Sequence, residues 1–244
     1  QIMNNEDLEK EENIFQSSYL EVKYDLKSSN NSNYPFLLAK YLKKNFYKSN
    51  THLLDIGCGR GEMLRAFHAN NFEVSGTDIS PQSEEDCSEF DFKIGNLEKE
   101  KLNYPDKKFN CIFAKSVIEH LRSPINLLSE SHRMLKDNGV CIIMTPSWVH
   151  NAWGPFYIDF THVSPFTQTS LKDAMKMAGF KSIEVYHFYQ LPFIWKYPYL
   201  TILPKFISLL PLRYRPFYDS KWPDSFNKLI RFSNEVMLLA VGKK

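Results

Sequence analysis

The residues whose types and spacing could do chemistry fall into two sets. The first centres on Leu53-Leu54-Asp55-Ile56-Gly57-Cys58-Gly59-Arg60-Gly61, an apolar run that ends in a carboxylate and passes at once into glycines at alternate positions. Glycine lets the backbone turn sharply and lets a ligand approach the main chain where a Cβ would collide. A dinucleotide fingerprint would need its third glycine at position 62, which is Glu62, and no Gly-Lys-Ser/Thr follows for a phosphate loop. With no pyrophosphate to cradle, Asp55 suits a cationic ligand, because a carboxylate accepts hydrogen bonds from an ammonium group. Asp78 closes Gly76-Thr77-Asp78 twenty-three residues later, where open α/β sheets place the acid that grips ribose hydroxyls. Ile94-Gly95-Asn96-Leu97 then offers a side-chain amide and a backbone N–H to the edge of a base.

The second set holds candidate acids, bases and ligands: Ser116-Val117-Ile118-Glu119-His120, and Asp159-Phe160-Thr161-His162 further on. A hydroxyl that is to become a nucleophile must lose its proton, best to a base that titrates near neutrality, which makes His162, His120 and Asp159 the catalytic candidates. Two imidazoles and a carboxylate (His120, His162 and Glu119) could also hold a transition metal. Plainer readings stand beside these: His120 capping a helix or bonding a carbonyl, and Glu119 fixing the tautomer of His120. His52, His68, His132, His150 and His187 lack comparable neighbours and read as structural or surface residues. Trp148, Trp153, Phe156 and Tyr157 could floor an acceptor pocket or simply pack the loop that carries them.

The elements that must position these groups follow from hydrophobic patterning. Strands are expected at His52–Ile56, Phe72–Thr77, Phe90–Ile94, Phe109–Ala114 and Val140–Thr145, with helices at Glu62–Ala69 and from Pro124 to Lys136, the latter ended by Asn138-Gly139. Strand–helix alternation of this kind makes an α/β fold, a mostly parallel sheet with helices on both faces. Both candidate sets then lie at carboxyl ends of strands, where such sheets bind ligands. Residues 146–167 carry no period and read as one long loop, Leu171–Ala178 as a helix, and Ile183–His187 and Glu235–Val241 as two last strands. The expected organisation is an N-terminal segment and helix over the ligand site (1–50, its first thirteen residues polar and frayed), a core (51–188), an insertion (189–233) and a final core strand (234–244).

The insertion holds six of the thirteen prolines, which forbid one long helix but allow a short one such as Tyr199–Leu210. It carries seven Lys/Arg against two Asp and twelve aromatic residues, in a chain of 244 whose net charge is only +2. It reads either as a cap packing its own aromatics or as a platform for an anionic or lipid-linked acceptor through peripheral membrane contact. The balanced overall charge argues against a nucleic-acid partner. No run of eighteen apolar residues and no signal peptide is present, and the four widely spaced cysteines form no zinc pattern, so a cytoplasmic protein is expected. Oligomeric state is not specified.

On the motifs at Asp55–Gly61, Asp78, Asn96–Leu97, Ser116–Leu121 and Leu135–Gly139, the chain resembles class I S-adenosylmethionine-dependent methyltransferases over roughly residues 50–188. The likeness is to the group that includes ubiquinone-biosynthesis O-methyltransferases and bacterial sugar and polysaccharide methyltransferases. It implies a Rossmann-like sheet of seven strands whose last strand is antiparallel. It implies S-adenosylmethionine held by Asp55, Gly57, Cys58, Gly59 and Gly61 at its methionine part, by Asp78 and Ile79 at the ribose and by Asn96 and Leu97 at the adenine, with Lys115 alongside. Asn96 stands where the family often has Asp. In two branches, Glu-x-x-Glu-His and a later His bind a divalent metal; here these become Glu119, His120 and His162, with Ser116 at the place of the first Glu. Resemblance of Asp159–Val163 and the following Pro-Phe-Thr to sugar-modifying members implies methylation of oxygen on a sugar, glycan precursor or other hydroxyl-rich small molecule. The alternatives are 2′-O-methylation of an RNA end and a non-catalytic cofactor-binding scaffold.

Overall fold

The computed structural model describes residues 33–47, 51–216 and 218–244. The expected frayed segment 1–13 lies outside them. Seven strands form one sheet: β1 (His52–Ile56), β2 (Glu73–Asp78), β3 (Asp91–Ile94), β4 (Phe109–Lys115), β5 (Leu135–Pro146), β6 (Lys181–Phe188) and β7 (Met237–Lys243). Their order is β3-β2-β1-β4-β5-β7-β6. β7 runs antiparallel between β5 and β6, and every other pairing is parallel. This is the Rossmann-like arrangement expected.

Alternation along the strands divides the core in two. Leu54, Ile112 and Ile143 face a layer that holds Leu127 and Leu128 of α4 (Pro124–Met134) and Leu171 and Met175 of α6 (Gln168–Met177). Leu53, Phe113 and Ile142 face the other way, onto α1 (Tyr34–Asn45) and α2 (Glu62–Ala69) through Leu38, Leu42, Leu64 and Phe67. All of these are fully buried, so each strand residue is committed to one face and the register cannot slip by one.

Several elements differ from expectation. The helix read through Lys136 ends at Met134, because Leu135 turns extended and pairs with Phe109 at the start of β4. Residues 136–139 bulge out before Val140 resumes the ladder opposite Cys111, with Asn138 at φ +64°. The stretch 146–167 is not one plain loop: α5 (Trp148–Asn151) and a 3₁₀ turn at Pro155–Ile158 lie within it. α3 (Pro81–Asp86), opened by a proline in the first turn, was not expected.

The insertion folds as short pieces: α7 (Pro192–Lys196), a 3₁₀ turn at Pro198–Thr201, α8 (Ile202–Ile207) and α9 (Asp224–Asn234). The expected helix Tyr199–Leu210 is therefore split, and α9 was missed although Leu229, Ile230 and Ser233 recur at helical spacing. Trp195 stacks on Phe188 at 5.1 Å and meets Tyr34 and Tyr41 of α1, which fastens the first part to the core. Ile207, Tyr214 and Ile230 make a small second core of their own. Pro146 and Phe188 both pair with Met237, so β5 and β6 end at the same level on either side of β7 and the insertion leaves from the same rim as the 147–167 stretch. Among the described residues, no helix is long and apolar enough to cross a membrane.

Candidate active site

The end of β1 and the start of α2 form the glycine turn. Gly57, Gly59 and Gly61 all have positive φ (+72°, +51° and +78°), and the N–H groups of Gly57 and Cys58 both donate to the Thr77 carbonyl. A Cβ on Gly57 would lie 2.2 Å from Val117 Cγ2, whereas one on Gly59 would meet nothing within 4 Å. Gly57 is therefore required by the protein itself, while the open side of Gly59 is where a ligand can come against the main chain. Gly57→Ala is expected to cost about 1–3 kcal/mol in overpacking with roughly 1–2 kcal/mol of left-handed backbone strain. Thermal unfolding should register this as a midpoint lower by roughly 5–15 °C.

Asp55 is 2% exposed, and its Oδ2 has no hydrogen-bond partner. Burial, with the charge of Asp78 beside it, holds this carboxyl well above the ordinary carboxylate range. A buried, underbonded carboxylate at the mouth of a glycine turn is the feature a cationic ligand would satisfy. Asp78 accepts from Gly59 N–H at 2.8 Å and Ser80 N–H at 3.0 Å, so it braces the turn. Ile79 follows, half-buried. Asn96 turns its Oδ1 back onto Glu98 N–H at 2.9 Å, and Leu97 is buried. Lys115, at the end of β4, feels Glu119, Glu62 and Asp55, while burial pulls its pKa down.

The second set converges at the same rim. Glu119 and His120 sit on a 3₁₀ turn (Ile118–His120) after β4, and Val163 and Ser164 N–H both donate to the Glu119 carbonyl, which ties the later loop to this turn. Glu119 is fully buried; Thr145 donates to its Oε2 at 2.9 Å, and Oε1 is without a partner. Burial pushes its carboxyl up to about 7, against the opposing pull of its own backbone N–H, Thr145 and Lys115. The rings of His120 and His162 lie 4.6 Å apart, edge to face. His162 Nδ1–H donates to the Phe156 carbonyl at 2.6 Å, which makes Nε2 the lone-pair nitrogen. Asp159 accepts from the Thr161 hydroxyl at 2.6 Å, so that hydroxyl in turn accepts from His120 Nδ1–H at 2.8 Å. One potential ligand atom from each of Glu119, His120 and His162 lies within 4.8 Å of the other two.

The candidates thus come together, with refinements. The Thr161 hydroxyl links Asp159 to His120 and so helps to orient the ring. Thr145, which fixes Glu119, was missed; its place as the last residue but one of β5 was the available signal. Phe156 is core, whereas Trp153 and Tyr157 are open to solvent. His150 and His187 are not isolated: their rings are 4.6 Å apart and Ser147 Oγ is 3.0 Å from His150 Nδ1.

A Rossmann-like sheet with β7 antiparallel, a glycine turn after β1 and acids ending β1 and β2 define the class I S-adenosylmethionine methyltransferases. Residues 29–185 match the model of a family described as a methyltransferase domain, and the chain belongs to that family. It is 28% identical over 132 residues to a ubiquinone biosynthesis O-methyltransferase of Pelagibacter ubique, covering 46% of this chain and 54% of that one. It is also 28% identical over 109 residues to a demethylmenaquinone methyltransferase of Tropheryma whipplei, covering 43% and 46%. The chain spans about half the length of the curated relatives it matches. A solved S-adenosylmethionine-dependent methyltransferase from Archaeoglobus fulgidus superposes with TM-score 0.58 at 21% identity, over 86% of this chain and 94% of that one. A methyltransferase of Haloferax volcanii, solved with the Trm112 methyltransferase activator, superposes with TM-score 0.64 at 15% identity over 94% and 93%.

Proposed function

We propose that the chain transfers the methyl group of S-adenosylmethionine to an oxygen of a hydroxyl-bearing small molecule. The observation that carries this reading is the convergence of Glu119, His120 and His162 within 4.8 Å at the rim that also bears the Asp55–Gly61 turn. The glycine turn and Asp55 would take the methionine part of the cofactor, Asp78 and Ile79 the ribose, Asn96 and Leu97 the adenine, with Lys115 between the two halves of the site. A sulfonium already carries its leaving group, so the protein's task is to align the acceptor oxygen and take its proton. Glu119, His120 and His162 have the donor chemistry for a divalent transition metal, the orphaned Glu119 Oε1 in particular. Such an ion, when bound, supplies a Lewis acid that makes an acceptor hydroxyl easier to ionise. Asp159 and Thr161 keep the His120 ring turned, and the Phe156 carbonyl keeps His162 in the tautomer whose Nε2 can hold a ligand or accept a proton.

For the acceptor, the segment from Asp159 to Thr167 favours a sugar or glycan precursor. A second reading, a phenolic ring hydroxyl, is favoured by the name of one relative, a ubiquinone biosynthesis O-methyltransferase. Four buried free thiols suit a reducing, cytoplasmic compartment. The test is transfer of labelled methyl from S-adenosylmethionine to three acceptor sets: nucleotide sugars and glycans, catechol-type phenols, and RNA ends. Transfer to the first set is expected. Transfer to phenols or RNA alone moves the acceptor class accordingly, and cofactor binding with no transfer to any set favours the scaffold.

Cofactor binding should also depend on pH in a defined direction. Since burial raises the Asp55 carboxyl, protons compete with the cationic cofactor at a pH above the ordinary carboxylate range. Titration calorimetry should show affinity falling as pH is lowered through that region.

A further inference from the structure

We propose that the outer face of the insertion docks on an anionic phospholipid surface. α8 turns Pro204 and Ile207 inward, the latter into the small core with Tyr214 and Ile230, while Ile202, Leu203 and Phe206 point out. Helical turns continue past it, with Leu209 N–H donating to the Phe206 carbonyl. Tyr199, Ile202, Phe206 and Leu209 therefore follow one another at spacings of three and four residues along one outward stripe. They are 74%, 73%, 61% and 81% exposed, whereas aliphatic and aromatic side chains elsewhere in the chain mostly pack into the two cores.

Charge selects the occupant. Lys196 and Lys205 are exposed beside the stripe, Arg213 and Lys221 just beyond it, and none of the four is in an ion pair among the described residues. Arg215 and Arg231, by contrast, are neutralised by Asp224 and Glu235. The insertion carries seven Lys/Arg against two Asp in a chain that nets only +2, so positive charge is concentrated on the segment that also exposes the apolar stripe. Apolar side chains that enter the acyl boundary, flanked by Lys and Arg that meet phosphates, are the chemistry of an interfacial anchor on anionic lipid. An apolar protein partner would bury the stripe equally well but gives no reason for the cations around it.

The experiment is flotation of the whole chain with vesicles of phosphatidylcholine alone or mixed with phosphatidylglycerol. Binding to the mixed vesicles, weakened by salt, is expected. Lys196→Gln with Lys205→Gln should lower it about 25-fold, at roughly five-fold per basic residue. Phe206→Ser with Leu209→Ser should abolish it, while S-adenosylmethionine binding, measured in parallel, reports that both variants are folded. Equal binding to neutral vesicles, or none by a folded wild-type chain, overturns the proposal. So does a concentration-dependent dimer that Phe206→Ser with Leu209→Ser disperses without any lipid binding, since the stripe would then be an interface between copies.

Discussion

Asp55→Asn should abolish practical S-adenosylmethionine binding while leaving the chain at least as stable as the wild type. The binding loss follows from removing one partner of a desolvated charge pair, which costs about 2–5 kcal/mol, a factor of about thirty to several thousand in Kd. The stability result runs the other way because Asp55 is buried with one oxygen unbonded and its carboxyl raised above its unfolded value. A raised carboxylate binds its proton more tightly when folded, so the empty protein loses stability as pH rises through the unfolded value toward the folded one. An isosteric amide, which does not titrate in this range, is free of that loss. A lower unfolding midpoint together with unchanged cofactor affinity would mean that Asp55 is structural and that the cofactor is held elsewhere.

The second large effect concerns the paired imidazoles. His162→Ala and His120→Ala are each expected to lower methyl transfer by about two to four orders of magnitude with cofactor affinity unchanged, since neither ring belongs to the glycine turn. Chelation should lower transfer as much as either substitution, and added Zn²⁺, Mn²⁺ or Fe²⁺ should restore the wild type but neither variant. Should chelation leave the wild type unaffected while His162→Ala alone fails, His162 is a general base and no metal takes part. Thr161→Val belongs in the same series. It removes the hydroxyl that orients His120, and a rise in the metal concentration needed for half-maximal activity, without loss of the maximal rate, would mark it as a positioning residue.

Much of this could be read from the residues because the relevant signals are local. A strand that must be buried on both faces reads as an unbroken apolar run, as in Cys111–Ala114 and Cys141–Met144. A glycine turn announces itself by spacing, and an acid ending the next strand needs only a count. What escaped was set by tertiary contacts. Leu135 belongs to a strand only because Phe109 lies beside it, and nothing within a helical window reveals that pairing. Thr161 orients His120 across forty-one residues of sequence, and Thr145 reaches Glu119 across twenty-six. The meeting of His150 and His187 depends on β5 and β6 ending at the same level on either side of β7, which follows from the sheet register and not from either residue's surroundings in the text. In the insertion, proline spacing correctly excluded a long helix, but the amphipathic α9 was obscured because its polar residues Asn227 and Ser233 are themselves buried.

The four native thiols, Cys58, Cys87, Cys111 and Cys141, are all buried, so to a water-soluble maleimide the folded chain is close to a protein without cysteine. A single cysteine placed at Asp137, in the bulge near the start of β5 and on the rim opposite the glycine turn, would therefore be the preferred point of attachment. A dye or tether there leaves the site and the insertion untouched. It turns the molecule into its own reporter of which end faces a bilayer and which end remains in bulk water.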